Sequence, residues 1–157
     1  MKYNAITSNG NTDLYIDNQL VYKCITNKYL FKDIFYIENA YGVKILELKI
    51  RHVFGFSKKY LIMNQRLDKH VVLFKIKSKL CLKVEEDIIS LEKKFRAWKY
   101  EGDFIVNDNF FGDFKNKLSF FESSFTFNFK NDSDIKYYCI VLFSILVIDE
   151  FNTRSAI

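Results

Sequence analysis

YYCIVLFSILVIDE, residues 137–150, opens with twelve consecutive residues that carry no charge, and the way it folds decides the architecture of everything before it. In a helix rising 1.5 Å per residue such a run spans about 18 Å, well short of the roughly 30 Å of a bilayer's hydrocarbon core, so it does not reach across a membrane. As a single strand it would exceed the usual limit of about ten residues, and it lacks alternation. Upstream, NDSDIK at 131–136 offers Ser133 or Asp134 as a helix N-cap, with negative charge where the macrodipole favours it. Downstream, Asp149 and Glu150 sit at the unfavourable end of that dipole, and the Ile, Val, Tyr and Phe content favours strand on local propensity. A buried helix is the reading adopted, with a long strand and a membrane-inserted segment as the alternatives. A helix that is apolar on every side must be enclosed on every side.

The enclosure has to come from strands, because the preceding chain alternates with a period of two. In VKILELKI, 43–50, Leu46, Leu48 and Ile50 share a face with Lys44, while Val43, Ile45, Glu47 and Lys49 point the other way. In SSFTFNFKN, 123–131, Phe125, Phe127 and Phe129 oppose Thr126, Asn128 and Lys130. Such patterns mark half-buried strands. Comparable runs predict strands at 3–6, 14–17, 20–25, 34–38, 60–64, 71–76, 88–93, 95–100, 104–106 and 110–114. Segments 27–37, 51–63, 78–91 and 116–127 also repeat one hairpin-like form, although their spacing is too uneven for a solenoid. Enclosing a helix about 10 Å wide takes more than eight strands, since eight leave room only for their own inward side chains. The expected fold is therefore mainly β: a closed antiparallel barrel of about twelve strands enclosing a hydrophobic C-terminal α-helix at about 134–151. No linker-like stretch interrupts it, so 1–157 is read as a single domain.

Composition agrees with one self-sufficient core. At 157 residues, with 17 Phe and 10 Tyr, the chain lies far from the profile of disordered sequences and needs neither disulfides nor metals for stability. Five Gly and no Pro leave Asn and Asp to shape the turns, as at Asn9-Gly10 and Asn107-Asp108. Cys24, Cys81 and Cys139 are apolar-flanked and show no pairing pattern, so they read as reduced, buried residues without a disulfide. The opening MKYNAITSNGN lacks an apolar run of signal-peptide length, which gives the expectation of a cytoplasmic protein, peripheral to a membrane if it meets one. A formal charge of +5 permits weak attraction to phosphates or an anionic membrane without requiring it.

Particular passages resemble the LURP-one-related family, which shares the Tubby C-terminal-like fold with tubby and the phospholipid scramblases. They are LYIDNQLVYKC at 14–24, where Asn18-Gln19 replaces the family's turn glycine, KKYLI at 58–62, YEGDF at 100–104 and DIKYYCIVLFSILVIDEF at 134–151. The chain departs from the family by a shortened region around 105–114. The resemblance implies a twelve-stranded barrel around a hydrophobic C-terminal helix and does not imply an enzyme. Among the relatives, tubby resembles a phosphoinositide-binding module and the scramblases are membrane-associated. None of tubby's headgroup-binding residues can be placed on this chain by motif.

Catalytic chemistry finds little support in the residues themselves. His52 and His70 have no carboxylate or Cys at ligand spacing, so neither a metal nor another cofactor is expected. Glu85, Glu86 and Asp87 read as a turn rather than a carboxylate pair. Ser57, Ser119 and Ser123 lack a nucleophile elbow, and Gly10, Gly42, Gly55, Gly102 and Gly112 read as isolated turn glycines rather than a phosphate cradle.

Basic residues remain. Arg51, Lys58 and Lys59 flank one expected hairpin, and Lys93, Lys94, Arg96 and Lys99 interleave with aromatics in EKKFRAWKYEG. Such residues can hold lipid headgroups, with Phe56 or Trp98 entering the interface, and could equally touch nucleic-acid phosphates, the less favoured partner. On alternating strands, however, half of them face away from the other half. The expected function is a non-catalytic binding protein that meets an anionic lipid surface or a protein partner. A small-molecule carrier or hydrolase with a cavity in the barrel is the alternative, and a purely structural scaffold is a third reading.

Overall fold

The alternation translates strand by strand into a wall. The computed structural model describes residues 1–8, 11–53, 57–96, 99–118 and 123–148. Twelve strands run in chain order: β1 Tyr3–Ser8, β2 Asn11–Ile16, β3 Gln19–Lys28, β4 Lys32–Asn39, β5 Lys44–Val53, β6 Ser57–Gln65, β7 Val71–Ile76, β8 Lys79–Val84, β9 Asp87–Arg96, β10 Lys99–Val106, β11 Asn109–Leu118 and β12 Ser123–Phe129. All join one antiparallel sheet ordered β6-β5-β4-β3-β2-β1-β12-β11-β10-β9-β8-β7, which curls into a nearly closed barrel. Residues of one parity, such as Leu46, Leu48 and Ile50 in β5 or Phe125 and Phe127 in β12, are buried, and their neighbours are not.

YYCIVLFSILVI lies within the wall. An α-helix, α1, runs Ile135–Phe143 and widens into a π-helical turn over Ser144–Ile148. Every residue from Tyr138 to Ile145 is buried, as are Ile135 and Lys136. Phe143 packs edge-on against Phe114, Phe125 and Phe127 at centroid distances of 4.9, 5.0 and 4.8 Å. At the change of helix type, Ser144 Oγ donates to the Ile140 carbonyl at 2.8 Å, while the Ser144 N–H reaches both Ile140 O and Val141 O. Asp134 occupies the N-cap without a side-chain bond, and the Ser133 hydroxyl accepts from the Ile135 N–H at 3.4 Å. Asp149 and Glu150 lie outside the described residues.

The wall closes differently at one junction. Eleven ladders join neighbouring strands, but β6 and β7 end the sheet order and share none. Gln65 bridges them instead: its Nε2 donates to Val71 O at 3.1 Å, and its Oε1 accepts from Val71 N at 2.8 Å. Further along the seam, Lys75 Nζ donates to Lys58 O at 3.0 Å. The 66–70 connection is held over the start of α1, where Tyr138 Oη accepts from Lys69 N at 2.9 Å.

Several local expectations need correction. The strand expected at 95–100 is split between the end of β9 and the start of β10, and 79–84, without its own strand in the sequence reading, forms β8. The first tight turn is Asp17-Asn18, not Asn18-Gln19, because these two adopt φ 48° and 65° as a two-residue hairpin requires. Asn107-Asp108 does the same, and so does Lys77-Ser78, a pair with no such preference in its residue types. Gly102 and Gly112 are not turn residues; they lie inside β10 and β11. A Cβ at Gly102 would sit 2.5 Å from the Phe114 ring and 2.7 Å from Glu92 O, so the glycine makes room for core aromatics. Asn9-Gly10, Gly55 and Ser119 lie outside the described residues.

Candidate anion-binding rim

Strand direction sorts the charges onto the two ends of the barrel. The end where α1 starts carries the acidic turns Asp17-Asn18, Glu85-Glu86, Asn107-Asp108 and the 131–134 approach to the helix. The end toward which α1 runs carries the connections 29–31 and 77–78, flanked by Lys28, Lys32, Lys77 and Lys79. We call this the far end. A net charge of +5 therefore conceals a polarised molecule.

Parity then places each candidate cation on the inner or outer face of the far end. In β6, Lys58 shares the face of half-buried Tyr60 and Ile62, whereas Lys59 is exposed on the outside. In β9, Lys93 continues the buried face of Ile89 and Leu91, whereas Lys94 points outward and pairs with Asp103. Arg51 alternates with buried Ile50 and is outside. Arg96 and Lys99 are paired in register at the β9–β10 connection, and their side chains lie outside the described residues, as do Phe56 and Trp98.

Two groups result, meeting at one rim. Outside, β4, β5 and β6 bring Lys32, Arg51 and Lys59 directly side by side, since Lys32 is paired with Arg51 and Arg51 with Lys59. Like charges opposite one another cost stability in a sheet, and no fold requirement asks for this row. Inside, a cleft of about 590 Å³ opens where α1 leads, lined by Lys58, Lys75, Lys93, Tyr60, Ser57 and Ser78 over a floor of Leu80, Leu91 and Leu146. Lys79, which alternates with buried Leu80 and so belongs to the outer face, lies at its edge. Glu92 reaches Lys79 at 3.2 Å.

Lys75 and Lys79 escaped the sequence reading, because their position relative to Lys58 and Lys93 depends on β7 lying across the seam from β6, with β8 paired beyond it. Lys32 was missed for a similar reason, since its neighbours in space come from β5 and β6. The inner lining turns polar at this end elsewhere too. Thr7 and Thr12 share a hydrogen bond of 2.9 Å, and buried Asp33 meets His52 Nε2 at 3.0 Å.

Chemistry beyond binding finds few groups. The Cys24 thiol is pushed up to about 12 by burial, partly offset by its bond to Ser144, and Cys139 is raised by burial as well. All three cysteines are free and buried. Among the described residues no three His, Cys, Asp or Glu side chains converge to hold a metal ion. At the other end, a cleft of about 570 Å³ lies between Tyr22, Tyr137, Tyr138, Arg66, Asp68 and Asp134, of mixed charge. There burial, together with the neighbouring Asp68 carboxylate, raises the Tyr22 phenol. Buried Lys136 is held protonated by Asp132 and lies 5.1 Å from the Tyr137 ring centre. Among the described residues no helix is long and apolar enough to cross a membrane. No protein-family model, curated protein or solved structure matches this chain.

Proposed function

We propose that this protein is a non-catalytic, cytoplasmic binding module of LURP-one-related type that docks its far end on an anionic lipid surface. The observation that carries this reading is the in-register row Lys32–Arg51–Lys59, a like-charged arrangement that a solvated surface gains nothing by keeping. The lysine-lined cleft beside it supports the reading, because both faces of the wall end at the same rim and can meet one plane of phosphates together. The family part rests on the sequence passages, and the twelve-stranded wall around a buried helix is consistent with it. Against the carrier alternative, α1 itself occupies the barrel interior with Ile140, Leu142 and Phe143.

Each basic side chain near an anionic membrane is worth about 1 kcal/mol, so the outer row contributes roughly 3 kcal/mol, or about a hundredfold in partitioning. Co-sedimentation with neutral and anionic vesicles at low and physiological salt tests this. Binding is expected only to anionic vesicles, weakened by salt. It should fall about a hundredfold when Lys32, Arg51 and Lys59 are all changed to Gln. Equal, negligible sedimentation with both vesicle types would remove the proposal.

A further inference from the structure

Tyr29, Leu30 and Phe31 form the connection between β3 and β4, and they stand 55, 86 and 76 % exposed. No other three consecutive large hydrophobic residues are exposed together among the described residues. Leaving such a cluster in water wastes apolar area that could be buried, and on a soluble surface it marks an interaction site. The tip is also built, not frayed. Tyr29 N donates to Lys32 O at 2.9 Å, and Phe31 O accepts from His52 N at 3.3 Å, so the turn is anchored at both shoulders. Lys28 and Lys32 flank it in sequence, and Lys32 Nζ lies 5.7 Å from the Tyr29 ring centre. Lys32 is in turn the first member of the row that continues through Arg51 to Lys59.

An apolar point surrounded by cations matches the layering of an anionic bilayer, with phosphates outside and acyl chains beneath. Amphipathic elements that lie on such membranes use the same division, burying apolar side chains some 5–10 Å below while Lys and Arg stay among the headgroups. A protein partner would match only one of the two features unless it were both acidic and apolar there. We infer that the Tyr29-Leu30-Phe31 tip inserts into an anionic membrane and sets the orientation of the barrel on it, α1 directed toward the bilayer. This rests on the reading of the far end as the membrane-facing end, and adds to it a specific wedge and a defined depth.

The test places an environment-sensitive fluorophore at Leu30→Cys, and in a separate protein at Tyr41→Cys, which is 92 % exposed in the β4–β5 turn at the opposite end. The three native thiols are buried and provide the unlabelled background. With vesicles containing phosphatidylserine, the label at 30 is expected to shift to the blue and to be quenched by spin-labelled acyl chains, while the label at 41 does neither. The double variant Leu30→Ser/Phe31→Ser is expected to lose at least tenfold in vesicle affinity with an unchanged thermal melt, since neither side chain is buried. Vesicle binding by the unmodified protein with the label at 30 still in water would overturn the insertion and leave the electrostatic docking standing. Failure of the unmodified protein to bind at all would overturn both. A double variant that binds vesicles normally but loses self-association in light scattering would assign the tip to a contact between copies and overturn the insertion.

Discussion

Phe143 is the side chain on which the interior depends, and Phe143→Ala is the perturbation that weighs it. The ring is fully buried in α1 and meets three aromatic rings of β11 and β12 edge-on, all within 5.0 Å between centroids. Truncating a buried Phe to Ala costs about 3–5 kcal/mol from lost transfer energy and the cavity left behind. Edge-to-face pairs add roughly 0.5–1.5 kcal/mol each beyond area. Three of them, held in a wall that cannot collapse inward without breaking ladders, place this site at the upper part of the range, at about 4–5 kcal/mol. Against a total stability of roughly 5–15 kcal/mol, that is about a third or more of the whole. At a urea slope of about 2 kcal/mol per molar, the variant's midpoint falls by about 2 M with the slope unchanged. Phe143→Leu, which retains most of the volume, should lose well under half as much. A Phe143→Ala loss below about 1 kcal/mol would refute the argument, because it would mean that the ring is not enclosed by β11 and β12.

Other perturbations probe separate parts of the same structure. Ile145→Asp puts a carboxylate at a fully buried position with no partner, at a cost of several kcal/mol, and should leave the protein unfolded by circular dichroism; a soluble variant of equal stability would show that the segment is not enclosed. Gln65→Leu removes the two hydrogen bonds it makes to Val71 across the β6–β7 seam and strands the Val71 amide, so about 1–3 kcal/mol should be lost and the Val71 N–H should exchange faster. Unchanged exchange there would mean that the seam is held by other contacts. Alkali should destabilise the native state: Cys24, raised from 9.0 to about 12, stays protonated while the unfolded thiol ionises. Its contribution is therefore complete below pH 9 and is lost as pH rises from there toward 12, with Cys139, Tyr22 and Tyr138 acting in the same direction. Thiol-reactive dye uptake at pH 8 should follow global unfolding; rapid reaction of the folded protein would contradict the burial of all three thiols.

How much of this was legible beforehand depends on the range of the interaction that decides each feature. Period-two alternation is a local property of the chain, and so is the lack of any polar face at 137–148. Together they sufficed for a strand wall around a buried helix, since an apolar cylinder has no other way to leave water. Errors arose where a neighbour in space outranked the local pattern. Gly102 and Gly112 read as turns, but the bulk of Phe114 and Phe129 explains them as strand residues. Segment 95–100 carries a strand's composition yet contains the connection between two strands.

The basic residues show the division most clearly. Sequence alone determined that Lys58 and Lys59, or Lys93 and Lys94, must point to opposite faces, because successive side chains of a strand always do. Only the tertiary structure decided that both faces terminate at one rim. There β4, β5 and β6 align Lys32, Arg51 and Lys59, while β7 and β8 bring Lys75 and Lys79 beside Lys58 and Lys93. Register and closure are set by pairings between residues far apart in the chain, and no local pattern encodes which lysine ends up beside which.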